Sequence, residues 1–311
     1  MRTSGNPRIH GSVARFRPIL LAGLGLLAAC GGKHPGTYET AAAGSSSEAD
    51  PILKEADALW DERVDVAKLE MALKKYEEAH TADPANRHAL VRLTRGWYFY
   101  GDGHAKEKDV KIERWGQAIE WGAKCLALNE EFATKVNEGE KEKDAVGSTT
   151  KDDVPCLYWT ASSLGKWGKN QGLAKTLKHL PTVKAYMTRT EELDPEYYHY
   201  GPARYWGAYY AALPSFAGQD LDKSKEYFDK AIEGAPYYLP TQALRAEFWA
   251  VPAQDAKQFK MDLEAVVAAD ANAMPDKMVT PENTLEQKKA EELLGKMNEF
   301  FDKKALAAME E

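Results

Sequence analysis

Several signals are absent from this 311-residue sequence, and each absence excludes a class of protein. After residue 29 no run of eighteen apolar residues occurs, so no later segment is predicted to span a membrane. Sustained alternation of apolar and polar residues is not found, which argues against strands. The net charge is −7, and no cluster of basic residues mixed with aromatics indicates nucleic-acid binding.

Motifs of catalysis and of metal binding are also missing. The sequence contains no Gly-x-Ser-x-Gly, no His-Glu-x-x-His, no phosphate-binding loop and no Cys-x-x-Cys. Its histidines show no spacing typical of metal ligands. We therefore predict no catalytic residue, no metal and no cofactor, and the sequence favours a protein that is not an enzyme. An enzyme with an unrecognised site would need clustered polar residues in a deep pocket.

The N-terminal segment has the features of a secretory signal. Residues 1–29 contain four arginines and no acidic residue, and an apolar run extends from Ile19 to Ala29. Leu27-Ala-Ala-Cys30 then matches a bacterial lipobox, in which the cysteine is acylated and becomes the first residue. We predict a lipoprotein signal peptide at 1–29 and lipidation of Cys30. The alternative is an ordinary signal peptide with a chance cysteine.

The rest of the chain divides into a short tether and a long helical body. Residues 30–50 comprise the lipidated cysteine and a stretch rich in Gly, Ala and Ser, which predicts a flexible tether. Residues 51–311 are predicted to form one domain. Because no other membrane attachment is predicted, we expect a periplasmic protein held by its lipid. Gly31 after the cysteine favours the outer membrane over the inner one.

The body contains degenerate helical repeats. Ala72, Tyr76, Ala79 and Pro84 have the spacing of the second helix of a tetratricopeptide hairpin, where small residues allow close packing and proline ends the helix. Four further sets repeat this spacing, ending at residues 130, 195, 236 and 271. The sequence therefore predicts an all-α, tetratricopeptide-like array of about five hairpins. A terminal helix after Pro281 is predicted to cap it.

Three insertions enlarge these repeats. We predict a solvated loop at Thr134–Asp153 and a lengthened connection at Lys169–Pro181. The third insertion, Leu213–Asp220, is predicted to be a turn.

Two cysteines remain after Cys30, and their pairing is open on sequence grounds. Cys125 lies near the end of one predicted helix and Cys156 begins the next, so antiparallel packing would bring the sulfurs together. A disulfide in an oxidising compartment and two separate buried thiols are equally compatible with this placement.

Aromatic residues give the best indication of a binding site. Seven aromatic rings occur between Tyr197 and Tyr210, and Tyr158-Trp159 adds two more. One helix face cannot bury adjacent rings such as Tyr205, Trp206 and Tyr209 equally, so some are expected to line a groove. Core packing is the alternative for these rings. Arg204 among them is a candidate partner for a carboxylate, or a structural arginine.

The second half of the chain, from Leu157 to Phe301, resembles the T-component lipoproteins of tripartite ATP-independent periplasmic (TRAP) transporters. The residues that carry the resemblance are Leu157–Trp159, Leu164–Trp167, Leu213–Asp220, Lys223–Ile232 and Asn283–Leu294. The loop that often reads Gly-Gly-Asp in such proteins is Gly218-Gln-Asp220 here. The first half matches only as generic helices.

The resemblance implies a helical lipoprotein that binds a periplasmic solute-binding P subunit and has a groove for an apolar or amphipathic organic acid. We predict that the chain docks such a protein and binds or passes that ligand. The predicted ligand- or partner-binding residues are Tyr158, Trp159, Arg204, Tyr205, Trp206, Tyr209, Pro214, Phe216 and Asp220. The alternative is a scaffold lipoprotein for envelope or peptidoglycan assembly without a small ligand. The sequence does not identify the substrate, and it does not decide whether the protein forms a homo-oligomer.

Overall fold

The structure is a computed structural model that describes residues 38, 39, 41, 44, 46–273 and 278–309. The predicted signal peptide 1–29 and the predicted lipidation site Cys30 lie outside these residues, as does most of the predicted tether. Within the described ranges the chain is helical and contains no strand. None of the described helices has the length and apolar character needed to cross a membrane.

Five helical hairpins follow one another and end in a capping segment. The first two pair α1 (Ser46–Asp61) with α2 (Val66–Ala82) and α3 (Arg87–Phe99) with α4 (Lys108–Leu126). The short helices α5 (Glu130–Asn137) and α6 (Glu142–Ala145) come next. The third and fourth hairpins pair α7 (Val154–Asn170) with α8 (Leu173–Leu193) and α9 (Tyr197–Ala212) with α10 (Leu221–Gly234). The fifth pairs α11 (Pro240–Arg245) and the π-helical turn Ala246–Ala250 with α13 (Ala256–Ala268), and the short α12 (Val251–Ala253) lies between them in the chain. Helices α14 (Thr280–Gly295), α15 (Met297–Phe300) and α16 (Lys303–Ala307) follow. The predicted all-α array of about five hairpins is confirmed.

The repeat residues occupy the positions that their spacing predicts. Ala72, Tyr76 and Ala79 are all fully buried on α2, where the small side chains let α1 and α2 approach closely. The Tyr76 hydroxyl donates to Asp57 Oδ1 at 2.6 Å, so the ring is buried while its polar tip stays paired. This arrangement explains why an array of hairpins forms from so few identical residues.

Acidic and amide side chains define where several helices begin. A side-chain oxygen accepts a backbone N–H in the first turn at Asp65, Asn86, Asn129, Asp220 and Asp255. Such N-caps satisfy amide groups that have no partner inside the helix, and each contributes about 1 kcal/mol. The residue just before each of these helices therefore helps to determine where the helix begins.

Two of the predicted insertions are wrong in detail. Thr134–Asp153 is not a solvated loop, because it contains the end of α5, α6 and two 3₁₀ turns, and its residues Ala145 and Asp153 are buried. Asp153 accepts from Asn129 Nδ2 at 2.7 Å and from Arg87 at 2.9 Å, which explains its burial. Lys169–Pro181 is not a long connection either, since α7 and α8 are joined by only Gln171 and Gly172.

Both ends of the described domain differ from the predicted boundaries. Helix α1 begins at Ser46, so the predicted boundary at residue 51 lies inside a helix. Tyr38, within the predicted tether, is buried, and its ring lies 5.4 Å from that of Phe132 in an edge-to-face contact. At the other end the predicted capping helix is broken at Lys296, which places Phe301 beyond it but still buried against Phe259.

A disulfide joins the second and third hairpins. Cys125 near the end of α4 and Cys156 near the start of α7 are bonded, and both are fully buried. The bond closes a loop of 31 residues, which contains α5 and α6. It therefore ties a long irregular connection to the rigid array.

Removing this bond is expected to lower the free energy of unfolding. A Cys125→Ala/Cys156→Ala chain should lose about 3 kcal/mol, because its unfolded state regains the freedom of the open loop. Chemical unfolding with and without reductant measures the effect. The unaltered protein should become as unstable as the double variant under reduction, and the double variant should not respond to reductant. An unaltered protein that is insensitive to complete reduction would contradict this expectation.

Candidate functional site

An apolar space lies among helices α7, α8 and α9. This apolar cavity has a volume of about 400 Å³, which is within the usual range for small-molecule sites. Its wall is formed by Tyr98, Tyr158, Ser162, Leu164, Gly165, Lys166, Lys169, Leu173, Thr176, Leu177, His179, Leu180, Val183, Arg204, Tyr205, Ala208, Tyr209, Ala212, Leu213, Pro214, Leu244 and Phe248.

A smaller polar chamber adjoins the apolar cavity. It has a volume of about 110 Å³ and contains the charged side chains of Arg95, Asp102, Arg204, Glu282, Glu286 and Lys289. The two spaces share four wall residues, namely Tyr98, Tyr158, Arg204 and Leu244. Arg204 therefore lies at the junction, with apolar surface on one side and charged groups on the other.

Arg204 is a buried cation that is hydrogen-bonded only to neutral groups. The residue is 5% exposed. Its Nη1 donates to the His199 carbonyl at 3.0 Å and to Thr241 Oγ1 at 3.3 Å, and its Nη2 donates to the Tyr158 hydroxyl at 2.8 Å. The guanidinium also lies 4.5 Å from the ring centroid of Tyr238. Neutral acceptors and an aromatic face stabilise the charge, but they do not neutralise it.

The other charged groups of the polar chamber all have partners of opposite charge. Arg95 pairs with Glu282 at 2.8 Å, and Lys289 pairs with Glu286 at 3.2 Å and also with a glutamate on the neighbouring π-helical turn. Asp102 pairs with a lysine of α7. Among the described residues that line this chamber, Arg204 alone has no carboxylate in ion-pair contact. The electrostatic field at this position therefore favours a negatively charged group.

The backbone next to Arg204 has an unusual conformation. Tyr198, His199 and Tyr200 at the start of α9 have φ values of 49°, 59° and 57°, which form a left-handed turn without glycine. Each such residue costs about 1–2 kcal/mol relative to a right-handed one. Arg204 compensates part of this cost, because its Nη groups bind the carbonyls of Tyr198 and His199. The turn and the arginine therefore hold each other in place.

Close packing also fixes the turn against Tyr158. A side chain at Gly201 would place its Cβ 2.6 Å from the Tyr158 ring, so only glycine permits this approach. The Tyr158 ring thereby reaches both the left-handed turn and the Arg204 guanidinium. The cavity wall is consequently set by packing as well as by hydrogen bonds.

A buried ionic network connects the chamber to both ends of the array. Glu282 on α14 accepts from Arg63, which follows α1, at 2.7 Å and from Arg95 on α3 at 2.8 Å. The Tyr198 hydroxyl donates to Glu282 at 3.1 Å. Burial alone would raise the pKa of Glu282, but the two arginines outweigh it and lower the pKa to about 2. The carboxylate is therefore ionised and holds the capping helix against the first hairpins.

Most of the residues predicted to bind a ligand lie at these two spaces. Tyr158, Arg204, Tyr205, Tyr209 and Pro214 line the apolar cavity. Trp159 lines the polar chamber, where its ring contacts that of Tyr198 at 4.6 Å. The aromatic helix and the arginine within it thus converge on one place.

Three of the predicted residues lie at neither space. Trp206 is buried behind the wall, and its Nε1 donates to Glu191 Oε2 at 2.7 Å. Phe216 lies in the 3₁₀ turn Ser215–Ala217 and is 85% exposed. Asp220 caps α10. Neighbouring rings on α9 are therefore divided between cavity wall and core.

Other site residues were missed by the sequence analysis. Glu282 was missed because burial of a charged residue depends on partners more than 180 positions away. The left-handed turn gave no signal, since tyrosine and histidine rarely adopt it. Leu173 and Leu177 of the cavity wall could have been found from the sequence, because two leucines spaced four apart share one face of a helix.

Comparison with known proteins agrees with this architecture. The sequence model of the family described as TAtT, TRAP transporter T-component, matches residues 61–301. The chain belongs to this family. The matched region begins in the first hairpin, almost one hundred residues before the part in which the sequence resemblance was found. Comparison with the curated proteins gives no match. The T-component is thus a part of a TRAP transport system, and its matched region includes both cavities.

Proposed function

We propose that this T-component binds an apolar or amphipathic organic acid in the apolar cavity and docks the solute-binding P subunit of its transport system. The carboxylate of the ligand meets Arg204, and its hydrocarbon part occupies the space lined by α7, α8 and α9. The single observation that carries the proposal is the buried Arg204 guanidinium, which has no carboxylate partner among the described residues and lies where the apolar cavity meets the polar chamber.

The chemistry of the wall supports this orientation of the ligand. Leu164, Leu180, Val183 and Leu244 offer hydrocarbon, and no acidic side chain lines the apolar cavity. A ligand carboxylate in the polar chamber would lie near the carboxyl groups of Glu282 and Glu286, which disfavour a further negative charge. At the junction, by contrast, the carboxylate meets the positive charge of Arg204, and the attraction is mainly electrostatic because the Nη groups already donate to protein acceptors.

The location of the protein is part of the same proposal. Cys30 is acylated, residues 1–29 are removed, and the domain is held in the periplasm by its lipid, at the outer membrane rather than the inner. Membership in a transporter family supports a place beside the transported solute. Mass spectrometry of the protein from membranes tests this, because an acylated N-terminal Cys30 has a characteristic mass.

Substitution of the cavity rings tests the proposed ligand site. A Tyr205→Ala/Tyr209→Ala chain should bind a fluorescent long-chain carboxylate about tenfold or more weakly than the unaltered protein, because two rings of the wall are lost. Fluorescence titration measures the dissociation constant, and circular dichroism verifies that helicity is retained.

Trp206 supplies the matched control for this titration. It lies on the same helix between the two tyrosines but lines neither space, so Trp206→Phe should leave ligand binding unchanged. If the Trp206→Phe protein loses binding and the tyrosine variant does not, the ligand lies elsewhere. A folded tyrosine variant with normal affinity would likewise overturn the placement.

A further inference from the structure

The third hairpin differs in charge from the rest of the protein. Between residues 154 and 190 the chain contains five lysines and one arginine and no acidic residue, although the whole sequence has a net charge of −7. Lys169, Lys175 and Lys184 have no carboxylate in ion-pair contact among the described residues. Lys184 lies 5.4 Å from the ring of Tyr209, which places it beside the apolar cavity. A basic surface thus surrounds this part of an acidic protein.

Exposed apolar side chains occur at one end of the same hairpin. Leu173 and Leu177 at the start of α8 are 56% and 48% exposed. Helix α9 follows α8 after a short connection and packs against it, and the chain just beyond α9 lines the same cavity as the start of α8, through Pro214 and Leu173. Phe216 just beyond that end is 85% exposed.

The apolar cavity opens to solvent beside these side chains, because two of its wall residues, Leu173 and Leu177, are exposed. Leu173, Leu177 and Pro214 belong to its wall, and Phe216 is two residues beyond Pro214. We define this set, together with Lys169, Lys175 and Lys184, as the mouth surface. Hydrocarbon that projects from the end of a helix and from a turn, flanked by lysines, is typical of proteins that insert side chains into a bilayer interface.

We propose that the mouth surface docks onto a bilayer that contains anionic phospholipids. Phe216, Leu173 and Leu177 enter the boundary between headgroups and acyl chains, and the lysines contact the phosphates. A projecting phenylalanine favours a fluid lipid surface over a protein partner, which would need a matching pocket. Exchange of an amphipathic ligand between bilayer and cavity rests on the proposed function, but the membrane contact itself does not.

Vesicle co-sedimentation tests the proposal. The full chain with Cys30→Ser, which removes the predicted acylation site, is mixed with vesicles of phosphatidylcholine alone or with about 30% phosphatidylglycerol. We expect binding to the anionic vesicles that about 0.5 M salt abolishes, because salt screens the lysines. A Phe216→Ser/Lys175→Gln/Lys184→Gln variant should partition about tenfold or more weakly.

A matched triple variant on α13 supplies the control. Met261 is 56% exposed, and Lys257 and Lys260 lie on the same helix away from the mouth. Met261→Ser/Lys257→Gln/Lys260→Gln therefore removes the same number of apolar and basic groups and should retain vesicle binding. Residues 1–29 are identical in all of these chains, so any binding by that segment cancels in the comparison.

The outcomes separate this proposal from the proposed function. Absence of vesicle binding, or equal loss in both triple variants, would overturn membrane docking whatever the cavity binds. If only the mouth variant loses P-subunit binding and no chain binds vesicles, the surface docks protein instead of lipid. None of the three residues changed in the mouth variant lines the apolar cavity, so binding of the fluorescent carboxylate without vesicles should stay unchanged. If the protein binds vesicles but no carboxylate, membrane docking is supported and the proposed ligand is wrong.

Discussion

Replacing Glu282 by glutamine is expected to cause the largest loss of stability of any single substitution considered. Glu282 is 8% exposed and receives hydrogen bonds from Arg63 and Arg95. Without the carboxylate, two buried guanidinium groups keep their positive charge but have lost the negative charge that balances it. This loss should lower the free energy of unfolding by about 3–5 kcal/mol. The free energy of unfolding in denaturant measures the change. Since α14 would lose its ionic contact with α1 and α3, the capping segment should also exchange its amide hydrogens faster.

Glu292 on the same helix is the matched control. It is exposed, so Glu292→Gln should change the free energy of unfolding by less than about 0.5 kcal/mol. A Glu282→Gln protein as stable as the Glu292→Gln protein would show that the buried network does not hold the two ends of the array together.

The network also predicts how stability depends on pH. The pKa of Glu282 is about 2 in the folded protein, against an ordinary value of 4.5. Because the folded pKa is the lower one, the ionised form favours folding. The contribution of Glu282 is therefore complete above about pH 4.5 and is lost as the pH falls towards 2, by about 3 kcal/mol in total. Unfolding measured at several pH values should show this loss in the unaltered protein and not in Glu282→Gln.

Replacing Arg204 by glutamine is expected to have the largest effect on ligand binding. The affinity for a long-chain carboxylate should fall about tenfold to a hundredfold, because the positive charge that attracts the carboxylate is lost. The affinity for the corresponding methyl ester should change little. Comparison of acid and ester separates loss of the charge from distortion of the cavity, since distortion would weaken both ligands.

Arg189 offers a control arginine away from the two spaces, and it is paired with Glu192 at 3.1 Å. It lies on α8 and donates to the Thr149 carbonyl at 2.7 Å, so it also binds backbone. Arg189→Gln should leave the ratio of acid to ester affinity unchanged. If Arg189→Gln reduces that ratio as much as Arg204→Gln does, the preference for the acid arises from the general charge of the protein and not from a site.

The fold could be predicted because its determinants are local. The spacing of Ala72, Tyr76, Ala79 and Pro84 combines close packing with a helix stop, and in each of the other four sets the first three residues lie on one helix and the last lies beyond its end. Insertions were harder to predict. The segment Lys169–Pro181 contains glycine and proline but is mostly helical, because Gly172 precedes the helix and Pro181 is accommodated within α8.

The site could be predicted only in part, because its key features depend on contacts between distant residues. Crowding of rings on α9 predicted a groove for a ligand, and Tyr205 and Tyr209 line the apolar cavity. The sequence could not show that Trp206 turns away to Glu191. The left-handed turn at Tyr198 depends on Arg204 and Glu282, which local preferences do not reveal.

The preference of the unaltered protein for an acid over its neutral ester tests the central claim most directly. Isothermal titration with a long-chain carboxylic acid and with its methyl ester, under identical conditions at neutral pH, gives two dissociation constants. A buried guanidinium without a carboxylate partner predicts that the acid binds about tenfold to a hundredfold more tightly. Equal affinities, or tighter binding of the ester, would contradict the assignment of Arg204 as the group that receives the ligand.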